Sequence, residues 1–138
     1  MSLFTDTITI YNCIGEYKWK RTVVKGVQWV DQELSVATEK NAKVKKLVKS
    51  ITIDFTKNYG NAQYVDPQDF NKLENKMNYW TLNAENGLDV IALGEVRKEL
   101  SEEYRPKHLR ADVGCVTITS VSDRRNRSFL KHIKVVAE

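Results

Sequence analysis

The chain has 138 residues, and at one domain per roughly 150 residues this leaves room for a single hydrophobic core. Hydrophobic residues are 41% and charged residues 29%, the mixture of an ordinary globular domain, and no apolar run approaches the roughly 18 residues of a membrane helix. Lys and Arg number 22 against 18 Asp and Glu, and the net charge of +4 is too small to name a polyanion as partner unless the charge gathers on one face.

Met1 to Thr7 carries no basic stretch leading into an apolar one, so no secretory signal is read and folding in the cytoplasm is expected. Cys13 and Cys115 could close one bridge at most and form no CxxC pair, which argues against a disulfide scaffold or a structural zinc.

In chain order, Thr5 to Tyr11 is nearly all β-branched or aromatic, with Ile8 and Ile10 on one side and Thr7, Thr9 and Tyr11 on the other, so a strand is predicted. Asn12 to Glu16 supplies turn residues, and Tyr17 to Val30 resumes an extended pattern, predicting a hairpin. Tyr17, Trp19, Val23, Val27 and Trp29 share one parity there, and Gly26 marks a candidate bulge. Asp31 to Asn41 has no clear period and reads as an exposed loop. Ile51, Ile53 and Phe55 alternate with Thr52 and Asp54, so Val44 to Phe55 is predicted as a strand, with a helix as the alternative for its first half.

After a turn at Asn58 to Asn61, Asp66 as N-cap, Pro67 in the first turn and Asp69 near the dipole predict a short helix to about Lys76. Phe70, Leu73 and Met77 would form its apolar stripe. Tyr79 to Leu82 and Leu88 to Val96 read as strands joined through Asn86-Gly87 into a hairpin. Arg97 to Tyr104, stopped by Pro106, reads as a charged turn or one short helix. Val113 to Val121 and Phe129 to Val136 form the final strand pair. The sum is an all-β fold: a small antiparallel β-barrel or sandwich across residues 1–138, with one short helix and long charged loops.

Enzymatic signals are weak. His108 and His132 are the only residues that titrate near neutrality unperturbed, and neither has a nucleophile or carboxylate placed beside it by sequence. His108 reads as a solvated linker residue, His132 as a sheet-surface residue, and the cysteines as small buried thiols. No GxSxG, phosphate loop, HExxH or EF-hand loop occurs. The sequence therefore predicts no enzyme, no cofactor and no metal site. Trp19, Trp29, Tyr17 and Trp80 would suit a stacking platform in an OB-like nucleic-acid-binding module, although aromatics of one parity in a barrel serve the core equally well.

An ordered series of landmarks remains: I-T-I-Y-N at Ile8 to Asn12, T-V-V-K-G-V-Q-W at Thr22 to Trp29, Y-V-D-P-Q-D-F at Tyr64 to Phe70, Y-W-T-L at Tyr79 to Leu82, D-V-I-A-L-G-E-V at Asp89 to Val96, and T-I-T-S-V-S-D-R-R-N-R-S followed by L-K-H-I-K-V. This series resembles a family of small proteins from the head-tail joining gene block of phages and prophages of Gram-positive bacteria. The lysine-rich segment after Asp31 departs from the family's pattern, in which a more glycine-rich loop stands. The resemblance implies a head-tail connector, the head-closure or stopper ring of the virion neck, with a tail terminator or another minor head-completion protein as the near alternative. It implies a hexameric or dodecameric ring of the chain with itself, a neck adaptor above, a tail terminator or tail tube below, non-specific contact with packaged DNA, and no membrane. The location implied is the virion neck, after assembly in the host cytoplasm.

Ring subunits meet through loops and strand edges, which points to Gln32 to Lys49 and Asp123 to Ser128. The candidate contact residues are Lys40, Lys43, Lys45, Lys46 and Lys49, with Arg124, Arg125 and Arg127 pairing Glu99, Glu102 and Glu103 of a neighbour.

Overall fold

Strand alternation dominates the chain, and a computed structural model, which describes residues 4–37, 43–55, 63–125 and 131–138, shows how it closes. In chain order the elements are β1 (Asp6–Gly15), β2 (Lys18–Ala37), β3 (Lys43–Asp54), β4 (Gln63–Tyr64), α1 (Pro67–Lys72), β5 (Tyr79–Trp80), β6 (Val90–Leu93), α2 (Pro106–Val113), β7 (Val116–Asp123) and β8 (His132–Ala137). Six of the strands form a closed antiparallel barrel in the order β1-β2-β3-β8-β7-β6, with β6 returning to β1. The predicted β-barrel is therefore the fold, and closure removes the open edges that a flat sheet of this size would expose.

The inward row of each strand builds the main core: Ile8 and Ile10 of β1, Ile51 and Ile53 of β3, Ile91 of β6, Ile118 of β7, and Ile133 and Val135 of β8. In β2 the inward parity changes along the strand. Thr22 and Val24 are buried before Gly26, Val27 is buried after it, and Trp29 packs on the same core. Gly26 is the extra residue, because Thr7 pairs with Lys25 and Asp6 with Val27, and its φ of 76° is the left-handed conformation that glycine accepts without strain. The bulge expected at Gly26 is thus present, and it splits the single parity read for Tyr17 to Trp29.

A second core lies on the outer face of β1 and β6, where Tyr11, Val90 and Ala92 meet Leu100, Leu109 and Cys115. A strap of chain after β6 is tied there by hydrogen bonds. Thr9 Oγ1 donates to the Gly94 carbonyl at 2.7 Å and accepts from Val96 N at 2.8 Å, and Tyr11 Oη donates to the Lys98 carbonyl at 2.7 Å. Burial pushes the Tyr11 phenol up to about 12.

Four local expectations are corrected. Pro106 opens a helix rather than ending one: it occupies the first turn, where its missing N–H costs nothing, and Gly114 closes α2 at φ 78°. Among the described residues there are thus two helices, and 97–104 is a charged strap that bends at 102–104 and carries no helix. Asp31 to Ala37 is strand, not loop, because its backbone pairs residue by residue with β3. α1 stops at Lys72, with Leu73 already extended, so of the predicted stripe Phe70 is buried at 1% exposure while Met77 stays 71% exposed. β5 pairs in parallel with β4, not with β6. Asn86-Gly87 does turn the chain, with Gly87 at φ 65°, but Asn83 and Asn86 fold the segment into a compact loop by accepting backbone N–H groups at Glu85, Asn86, Leu88 and Asp89.

That loop is anchored inside one end of the barrel. Asn12 is fully buried and holds the backbone of Thr81 from both sides, donating to its carbonyl at 2.8 Å and accepting its N–H at 3.2 Å. Asn12 Nδ2 also donates to Asp89 Oδ2 at 2.7 Å, and Asp89 Oδ1 accepts from Cys13 N at 3.0 Å and Asn86 Nδ2 at 3.1 Å. Burial, the largest influence, raises the Asp89 carboxyl above its usual value, although the bonds from Cys13, Asn12 and Asn86 pull it down.

Two outcomes are expected. Phe70→Ala should lower unfolding free energy by about 3–5 kcal/mol in urea titrations, whereas Met77→Ala should stay within about 0.5 kcal/mol of wild type. For Asp89, a raised folded-state pKa makes its contribution full below the unfolded value of about 4, and that contribution is lost as pH rises through the folded value. The stability of wild type relative to Asp89→Asn should therefore fall as pH rises from about 4 toward neutrality; a pH-independent difference would mean that the carboxyl is not desolvated.

Candidate assembly surface

β2 and β3 are much longer than the usual 5 or 6 residues of a strand. β1 accompanies β2 only as far as Val27, and β8 accompanies β3 only from Lys49. Beyond those rows Asp31 to Ala37 and Lys43 to Val48 pair with each other alone, in register from Gln32↔Val48 to Ala37↔Lys43. At about 3.3 Å per residue this is about 20 Å of two-stranded arm past the last shared rows. Among the described residues no strand pairs with either outer edge of the arm.

The arm's charge is sorted by strand. Asp31 and Glu33 stand on β2, and Lys45, Lys46 and Lys49 on β3. Lys49 Nζ contacts Asp31, Lys45 Nζ lies 3.6 Å from Glu33 Oε1, and Lys46 Nζ lies 2.7 Å from Glu138 Oε1. Each pair is exposed to water and holds the ribbon weakly. Leu47 lies among them at 73% exposure. At the arm's root Trp29, Asp31, Lys49, Leu93, Val113 and Gly114 line a recess of about 400 Å³ at the barrel's mouth.

The structure thus gathers Lys45, Lys46 and Lys49 on one arm, with Lys43 at its far end, where its backbone pairs with Ala37. Lys40 and Arg127 lie outside the described residues. The second expected contact stretch stands at the opposite end of the barrel, since Asp123 pairs with Ile133 while Lys49 pairs with Ala137. Arg125 there is engaged within its own chain. Its guanidinium lies 2.7 Å from Asp123 Oδ2 and 3.0 Å from Asp66 Oδ1, and over the rings of Tyr64 at 4.7 Å and Phe55 at 5.6 Å. Arg125 holds the Asp123 carboxyl below the usual range, and burial pushes the Tyr64 phenol up to about 12. It staples the start of α1 to the end of β7, an assignment that sequence alone could not make because Asp66 is remote in the chain. Arg124 is exposed, with its backbone N–H bonded to the His132 carbonyl. Glu99 accepts from Arg21 Nε at 3.0 Å, and Glu102 and Glu103 are exposed on the strap.

Other polar groups are drawn into structure. His108 sits in α2, not in a linker, and its Nδ1 accepts the Arg105 N–H at 3.0 Å, capping the helix. Burial raises the Cys115 thiol, the opposite of activation. Trp80 is buried, while Trp19 and Trp29 pack against the two cores, so the aromatics considered for base stacking are largely engaged inside. A mostly apolar cleft of about 450 Å³ runs between the β1–β2 turn and the start of α2, lined by Tyr17, Trp19, Leu88, Val90 and Pro106, with Arg105 at 4.6 Å over the Tyr17 ring. Among the described residues no group of His, Cys, Asp and Glu is arranged to hold a metal ion.

The family model that matches spans residues 3–138. The chain belongs to the family of unknown function DUF6751. No curated protein and no solved structure matches it. The family description assigns no role, so the functional reading rests on the residues and on the geometry of the arm.

Arg125→Ala should cost about 1–2 kcal/mol of stability, the sum of two partly exposed ion pairs and the ring contacts, while Arg124→Ala should remain within about 0.5 kcal/mol. Equal urea midpoints for the two variants would remove the staple.

Proposed function

We propose that this chain is a structural subunit of a tailed-phage virion, the head-closure or stopper ring of the neck that joins the portal and its adaptor to the tail. One observation carries the reading: a closed barrel bearing a two-stranded arm whose outer edges pair with no strand among the described residues. Such a ribbon is marginal by itself in water and gains stability when a neighbour covers it. The arm and the Arg124 end lie at opposite ends of the barrel, which suits a subunit with one neighbour above and one below. The ordered landmarks from Ile8 to Val135, which resemble the head-tail joining family, support the reading of a neck component. The tail terminator is the near alternative within the same reading.

Electron micrographs of particles made without the protein distinguish the roles. DNA-filled heads that leak and lack tails are expected for a head-closure ring; capped heads carrying abnormally long tails would assign a terminator instead. A nucleic-acid-binding barrel is the reading from another class, and the arm lysines are the feature that would serve it. Salt titration of DNA binding separates the two, because phosphate contacts make affinity fall steeply with salt. Weak binding is expected of the isolated subunit, and tight, steeply salt-dependent binding would favour the rival.

A further inference from the structure

The arm's two strands carry opposite charge on the same face of the ribbon. Asp31 and Glu33 form the row on β2, and Lys45 and Lys49 form the row on β3, in the alternation that also places Leu47 opposite Glu33. Cross-strand neighbours of opposite charge favour pairing, and like charges oppose it. This sorting decides what can cover each edge.

Two copies meeting β2 to β2 across a two-fold axis would set acid beside acid, and two meeting β3 to β3 would set lysine beside lysine. Only β3 of one copy beside β2 of the next sets lysines beside acids. That contact is heterologous, so it repeats around a ring instead of ending at a dimer. It also preserves strand direction: successive hairpins in a cyclic arrangement run β2 up, β3 down, β2 up, and every junction is antiparallel. The barrel itself is closed and competes with no long free edge among the described residues.

We infer that the segment Asp31–Ser35 of one copy joins, edge to edge, the segment Lys45–Val48 of the next, up to the row at Lys49 where β8 takes over the edge, so that the arms of a ring form one continuous antiparallel sheet. This rests on the reading of the chain as a ring subunit and names the surface through which it closes. Lys45 then lies between two acid rows, its own and its neighbour's, while Lys49 flanks the junction at the row where β8 begins. Main-chain hydrogen bonds supply adhesion, and the charge rows supply orientation.

Charge reversal tests the junction. One variant carries Asp31→Lys and Glu33→Lys, and a second carries Lys45→Glu and Lys49→Glu. Alone, each places like charges at every junction; mixed, the lysine-bearing β2 of the first meets the glutamate-bearing β3 of the second, and the reverse junction is complementary too. Native mass spectrometry should show wild type as a closed oligomer, each variant as monomer with at least a tenfold loss of oligomer, and the equimolar mixture as an oligomer that alternates the two.

Should the like-charged arms disturb folding, seen as a lowered thermal midpoint, the quadruple variant restores opposite charge within the arm. It should assemble with itself and exclude wild type from mixed rings. A monomeric wild type would overturn the ring reading and the junction with it. Wild-type-like oligomers from both double variants, or free mixing of the quadruple variant with wild type, would leave the ring standing and overturn the arm junction alone.

Discussion

The barrel end opposite the arm depends on one buried asparagine and one buried aspartate. Asn12 points along the inward row of β1, where an apolar residue would ordinarily complete the core, and its amide takes both polar groups of the Thr81 peptide. Asp89 fixes the other end of the same loop through Asn12, Cys13 and Asn86. A buried amide and carboxylate are tolerable only when satisfied, since an orphaned donor or acceptor costs about 1–3 kcal/mol. The loop from Thr81 to Asp89 therefore closes the barrel in one register, and Trp80 and Leu82, which flank the pinned peptide, are set into the core as a consequence.

This specificity device sits where the two-residue β4–β5 pair adds little stability of its own. The apolar core supplies the main driving force, and the polar node selects which loop conformation receives it. Arg125 works in the same direction from outside, tying Asp66 and Asp123 over the rings of Phe55 and Tyr64. One end of the barrel is thus fastened by specific contacts, and the other carries the arm.

Strands whose inward rows bury regularly were legible in the sequence. The alternation of Ile51, Ile53 and their neighbours needs nothing beyond a period of two, and Gly26 announced its bulge because no other residue type suits that conformation so well. Elements held by distant partners were not legible. Asp31 to Ala37 opens with Asp31, Gln32 and Glu33 in place of inward apolar residues, and its signal is acids on one segment matched by lysines on another at antiparallel spacing. Tyr79-Trp80 read as half of a hairpin because Asn-Gly is a strong local turn, yet Asn12, remote in sequence, redirects the chain. Pro106 resembles a helix stop by residue type alone, yet its place in the first turn of α2 makes it a start. Of the candidate contact residues, Lys45 and Lys49 share one face of the arm and Lys46 lies on the other, while Arg125 shows that a charged residue in a hairpin can be spent inside its own chain.

The bulge at Gly26 has an effect far from its own position. By inserting one residue it turns Trp29 inward, and the next residues of that row are Asp31 and Glu33; on β3 the row that begins as Ile53 and Ile51 continues as Lys49, Leu47 and Lys45. The surface that is core inside the barrel becomes, past the rim, the charged face of the arm. Interior and arm are one uninterrupted side of one sheet, its chemistry changing from isoleucine to salt bridge at the mouth. If Gly26 instead took a regular strand position, without the bulge, β2 would rotate by half a period past it, placing its acids on the opposite side from the lysines they now meet. One glycine thus aligns the two charge rows of the arm, although it touches neither.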